Sequence, residues 1–116
     1  MELTKEATEL IEKVAEQRKQ YKKEAYLFIF EALEYTLRKL KERRHITGQE
    51  LLGGISEYAK SEYGPMTKTV FEYWGVTKTE DFGRIVFDLV DAGLMGKTDT
   101  DSIEDFKDIF NFEDEF

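Results

Sequence analysis

The chain has 116 residues, no cysteine and a net charge of −8, with 41% of its residues hydrophobic and 36% charged. That length supports one domain, residues 1–116, with a core of its own, and the composition is that of a globular chain and not a disordered one. The lack of cysteine excludes disulfides and thiol chemistry and suits a reducing compartment, so the expected location is cytoplasmic.

The N-terminus, MELTKEATELIEK, has no basic region followed by an apolar run and does not read as a signal peptide. The longest apolar run, AYLFIF, is far too short to span a membrane. Residues 3–20 place Leu3, Ala7, Leu10, Ile11, Val14 and Tyr21 at spacings of three and four, one apolar stripe of a surface helix. A break near Arg18–Lys23 is expected, because a single 40-residue helix is unusual in a domain this small. One long kinked helix is the alternative.

Residues 24–42, EAYLFIFEALEYTLRKLKE, carry two apolar stripes. One runs through Ala25, Phe28, Ile29, Ala32 and Thr36, the other through Tyr26, Phe30, Leu33, Leu37 and Leu40. A helix that is apolar nearly all round must be covered on two or more faces, so 24–42 is expected to be central.

The strongest local signal follows in RRHITGQELL. Thr47 as N-cap with Glu50 three residues on forms a capping box, and Ile46 and Leu51 stand where the accompanying hydrophobic staple requires them. The helix 47–63 then continues through Leu52, Ile55, Tyr58, Ala59 and Tyr63 to a stop at Gly64. Pro65 opens a short helix at 65–74, buried through Met66, Val70, Phe71 and Trp74 and ended by Gly75. Thr77 with Glu80 suggests a second capping box, with Thr79 as the other candidate cap. The helix 79–92 has Phe82, Ile85, Val86, Leu89 and Val90 on its apolar face, a Gly83 that admits a close neighbour, and Gly93 at its end.

The tail is less regular. Ser102 with Asp105 suggests one helical turn, and a short hairpin between Leu94–Met95 and the region of Ile109–Phe112 is the other expectation. Phe106, Ile109, Phe110, Phe112 and Phe116 are too many apolar side chains for a solvated tail, so the tail must dock on the body. The fold expected is a mainly α, compact domain of about five helices around 24–42, with a short C-terminal β-hairpin that makes it winged-helix-like.

The motifs HITGQELLGGI, FEYWGV, DFGRIVFDLVDAGL, DSIEDF and FNFEDEF, in that order, resemble a family of small uncharacterised bacterial proteins of the planctomycete and verrucomicrobial type. The resemblance covers residues 21–116. It implies no activity, cofactor or catalytic residue and brings no functional residue to this chain.

Chemistry is sparse. His45 is the single histidine, and its neighbours Arg43 and Arg44 disfavour a cation. Asp99, Asp101 and Glu104 resemble a calcium loop, but counting from Asp99 the fifth, sixth and twelfth positions hold Ile103, Glu104 and Phe110, so the motif fails. Asp81 and Arg84 read as a surface ion pair at i,i+3. No phosphate loop, nucleophile elbow or metal motif appears, so neither cofactor nor metal is expected, and the chain reads as a non-enzyme.

Charge divides the chain. Residues 1–44 hold 11 basic and 9 acidic side chains, residues 45–116 hold 6 and 16. The basic run Arg38, Lys39, Lys41, Arg43, Arg44 suits the negative end of a helix dipole. Two functions remain. The first is a non-catalytic protein–protein interaction module, binding a protein partner or a second copy of itself through Arg43, Arg44, His45, Tyr73 and Trp74. The alternative is a winged-helix-like nucleic-acid-binding or transcription regulatory protein. It is disfavoured, because 79–92 holds Glu80, Asp81, Asp88 and Asp91 against Arg84 alone.

Overall fold

The computed structural model describes residues 4–42, 44–96 and 103–116. Within them the chain forms α1 (Lys5–Arg18), α2 (Lys23–Arg38), α3 (Gly48–Tyr63), α4 (Thr67–Tyr73), α5 (Thr79–Asp91) and the single turn α6 (Phe112–Glu115). Short 3₁₀ turns stand at Gly64–Met66 and Ile103–Phe106. Leu3, Arg43, Asp99, Asp101 and Ser102, all named above, lie outside the described residues.

α2 is the centre, as its two stripes require. Tyr26, Phe28, Ile29 and Phe30 are all buried, and α1, α3 and α5 pack around the helix. α1 and α2 are separate helices. Lys19 turns to φ 58° and closes α1 by donating its N–H to the Ala15 carbonyl, and the Lys22 N–H then bonds the Trp74 carbonyl at 3.1 Å. The α1 stripe is narrower than expected: Ile11 is buried while Leu10 faces solvent.

α2 stops at Arg38 and not at residue 42. The Thr36 hydroxyl bonds back to the Ala32 carbonyl at 2.7 Å, and the N–H groups of Lys39 and Leu40 tighten onto the carbonyls three residues behind. Such a 3₁₀ finish ends the regular ladder. Thr36 also marks the crossing with α3, where Gly54 faces it. A Cβ there would fall 1.8 Å from the Thr36 hydroxyl, so only glycine lets the two helices approach this closely.

α3 begins with the expected capping box, and Ile46 and Leu51 are both buried beside it. α5 starts differently from expectation. Asp81, not Glu80, supplies the capping carboxylate and accepts the N–H groups of Thr77 and Lys78, while Thr79 is the first helical residue.

The expected hairpin does not form among the described residues. Leu94 and Met95 lie in the turn after α5, and 103–116 crosses the body as a 3₁₀ turn and a one-turn helix. The reason lies in the turns of the backbone that seat the rings. Phe106 and Phe112 both enter the core, and Phe106 sits where a Cβ on Gly83 would approach it to 2.9 Å. Strand alternation would have kept these even-numbered rings on one face, but Asp108 turns to φ 50° and the Asn111 side chain caps α6, so the backbone bends between them. The close neighbour at Gly83 is a ring, and the domain is mainly helical, with no wing among the described residues.

Candidate functional site

The residues nominated from sequence separate into three settings. Trp74 is buried, 7% exposed, with its ring 5.4 Å from Phe28, 5.9 Å from Tyr63 and 5.8 Å from Phe71. It is a core residue. Its neighbour Tyr73, one position and about 100° further round the helix, is 70% exposed. Arg44 and His45 stand elsewhere, at a cavity between α2, α3 and α5.

That cavity has a volume of about 340 Å³. Phe30, Leu33 and Leu37 of α2 form one wall, Val86 and Phe87 of α5 another, and Ile46 with Leu51 supplies the side nearest α3. Leu94, Met95 and Phe106 complete it. Sequence reasoning put most of these residues on apolar faces, though not Phe87, and read Leu94 and Met95 as a hairpin strand; it did not find the space between them, because a cavity depends on how helices splay.

The capping box sets the rim. The Thr47 N–H donates to Glu50 Oε1 at 2.9 Å, and the Glu50 N–H donates to Thr47 Oγ1 at 3.0 Å. The same carboxylate accepts Arg44 end-on, Nη1 to Oε1 at 3.0 Å and Nη2 to Oε2 at 2.6 Å, while Nη1 also reaches the His45 carbonyl at 3.1 Å. The Arg44 guanidinium, helped by the Thr47 N–H, holds the Glu50 carboxyl down to about 2. One cap residue thus fixes a cation at the mouth of an apolar space.

Tyr73 belongs to a separate surface. Val70 and Tyr73 lie three apart on α4, and Met66 precedes the helix as its N-cap, at the end of the 3₁₀ turn. Met66 is 56% exposed, Val70 half-buried, and Lys22 Nζ lies 4.9 Å from the Tyr73 ring centre.

A third cluster is structural, and it corrects the surface pair read from sequence. Asp81 is only 4% exposed and accepts the Tyr21 hydroxyl at 2.5 Å and Arg84 Nη1 at 3.1 Å. Two turns on, Asp88 accepts the Tyr26 hydroxyl at 2.8 Å and lies 3.3 Å from Arg18 Nε. Burial, then the neighbouring carboxylates, push both phenols well above the ordinary tyrosine range. The sequence held a signal: Asp81, Ile85 and Asp88 share a helical face with a fully buried isoleucine between them. The tyrosine partners, 60 and 62 residues away, had none.

No group of three or more His, Cys, Asp or Glu side chains suited to a metal ion occurs among the described residues, and no helix among them is long and apolar enough to cross a membrane. No protein-family model matches the chain, and neither a curated protein nor a solved structure is significantly similar to it.

Proposed function

We propose that the protein is a non-catalytic interaction module that binds a protein partner through Met66 and Tyr73 at the two ends of α4. The observation that supports this reading is exposure. Four large hydrophobic side chains are exposed among the described residues, and the two most exposed are Tyr73 at 70% and Met66 at 56%. Leu10 and Ile109 reach only 39% and 37%.

Single exposed apolar residues are ordinary, but these two stand at the two ends of the short helix α4, Met66 as its N-cap and Tyr73 as its last residue. Tyrosine and methionine are also enriched where proteins meet, and a tyrosine gives large contact area for few rotatable bonds. Lys22 across the Tyr73 ring limits its motion further. A ring placed this way has the character of an interface anchor, whose truncation costs about 2 kcal/mol or more.

The test is capture from a native lysate with wild-type protein and with the Met66→Ala, Tyr73→Ala double variant, which should keep its helical circular dichroism. The variant is expected to lose a partner that the wild type retains. Capture of no specific partner, or equal capture by both proteins, removes this reading. Charge reversal at Arg43 and Arg44 in the same assay checks the other nominated surface. If only that variant loses the partner, the interface belongs to the basic segment.

A further inference from the structure

We propose that the cavity between α2, α3 and α5 is a binding site for a small carboxylic acid anion with an apolar body. The body would lie against Phe30, Leu37 and Val86, and the carboxylate would meet Arg44. This site stands apart from the α4 surface and does not depend on it.

The first argument is charge. The chain carries 25 Asp and Glu residues, yet among the described residues no carboxylate lines this cavity, Glu50 standing only at its rim, and Arg44 is the one permanently charged lining residue among them. Three other grooves on the described surface each mix charges to a net −1: Glu72, Asp108 and Glu113 with Lys68 and Lys78; Glu12, Glu16, Glu24 and Glu72 with Lys19, Lys22 and Lys23; Glu50, Glu57 and Glu115 with Lys39 and Lys60. An anion meets several carboxylates in each of those three and none among the described lining of this one.

The second argument is size and lining. About 340 Å³ lies at the small end of ligand pockets, which are typically apolar with few polar groups that fix orientation. An acyl or aryl-alkyl chain of moderate length matches such a space, whereas a nucleotide or a sugar brings more polar groups than the walls can satisfy.

The third argument is the arginine's geometry. Glu50 occupies the Nη1–Nη2 end of the guanidinium, and the His45 carbonyl takes the remaining Nη1 hydrogen. Among the described contacts, the Nε–H and the outer Nη2 hydrogen stay uncommitted. Together they form a second fork with the spacing of a planar carboxylate. Glu50 is itself anchored by the Thr47 N–H and therefore orients Arg44. Both side chains of the pair are partly exposed, 52% and 35%, so water screens the repulsion between Glu50 and an incoming anion.

The experiment is a methyl-resolved NMR titration of the full chain with octanoate and, in parallel, with 1-octanol. Octanoate is expected to give saturable shifts at Leu33, Leu37, Val86 and Leu94 and to bind more tightly than octanol. Each methylene added between hexanoate and octanoate should tighten binding about fourfold while the cavity fills. Arg44→Gln should weaken octanoate about tenfold and leave octanol unchanged, as loss of a charge-assisted fork predicts. Val86→Trp should abolish both by filling the space. Octanol equal to octanoate on the wild type, or no effect of Arg44→Gln, refutes the anion and leaves a neutral apolar occupant such as a partner's side chain. Absence of saturation refutes the site. Should Arg44→Gln unfold, the octanoate-to-octanol ratio on the wild type decides.

Discussion

Where α5 meets α1 and α2, carboxylates on its inward side reach tyrosine hydroxyls across the helix boundaries, Asp81 to Tyr21 and Asp88 to Tyr26. Where the tail meets α3, α4 and α5, rings enter the core instead, and the carboxylates Glu113 and Glu115 stay at the edge against Lys68 and Lys60. The two attachments divide their labour differently. Rings give free energy in proportion to the area they bury, with little directional demand. A buried tyrosine–carboxylate bond gives little net free energy when made, but its loss leaves a buried carboxylate one partner short. The tail is therefore held by area and α5 is aligned by polar bonds.

The largest expected effect comes from breaking the aromatic attachment. Phe112 is 5% exposed and meets Phe71 at 5.8 Å, Phe82 at 6.0 Å and Phe116 at 5.1 Å. Phe112→Ala is expected to cost about 3–5 kcal/mol in urea unfolding, the usual range for a buried ring. A loss below about 1 kcal/mol would mean that the tail detaches without disturbing the core.

The polar attachment should give less. Tyr21→Phe keeps the ring and removes only the donor to Asp81, and is expected to cost about 1–3 kcal/mol. It also has a pH signature. The folded-state phenol titrates above its unfolded value, so its contribution is complete below the ordinary tyrosine value near about 10 and is lost as pH rises beyond it. The stability difference between wild type and Tyr21→Phe should therefore shrink between about pH 9 and about pH 11. A constant difference over that range would show that the hydroxyl does not bond the carboxylate.

The same contrast explains what was legible in the chain itself. Features encoded within a few residues came through: the Thr47–Glu50 box, the break before Lys23, and the glycines at 75 and 93, which take φ of 90° and 77° at their helix ends. The central place of α2 followed from its two stripes. Features that depend on distant partners did not. Asp81 and Arg84 looked like a local surface pair because Tyr21 stands 60 residues earlier. The tail looked like a strand because its rings share strand parity, whereas the turns at Asp108 and Asn111 that seat them against Gly83 and Phe71 leave no mark in that period. Of the nominated site residues, Tyr73 and Trp74 divide as neighbours on a helix must. Arg44 meets a cavity that no local pattern announces.

The smallest effect belongs to the ion pairs at the tail's edge, and it sharpens the comparison most. Lys68 with Glu113 and Lys60 with Glu115 join α3 and α4 to α6, so on a drawing they look like the fasteners of the tail. Their side chains are substantially exposed, up to 74% at Glu113, and exposed pairs are worth about 0–1 kcal/mol after side-chain entropy and salt screening. Lys68→Ala should therefore cost less than about 1 kcal/mol, and the loss should vanish in high salt. Glu115 differs, because the Ser56 hydroxyl, 4% exposed, bonds it as well as Lys60 does and holds its carboxyl below the ordinary range. A lowered carboxyl stabilises above its unfolded value, and that contribution is lost as pH falls through the folded one. Ser56→Ala should raise the Glu115 titration midpoint seen by carboxyl-resolved NMR, and it should do so in high salt too, where Lys60→Ala no longer has an effect. If Lys60→Ala moved the midpoint further than Ser56→Ala in high salt, charge and not the buried hydroxyl would set Glu115, and the tail's edge would be electrostatic after all.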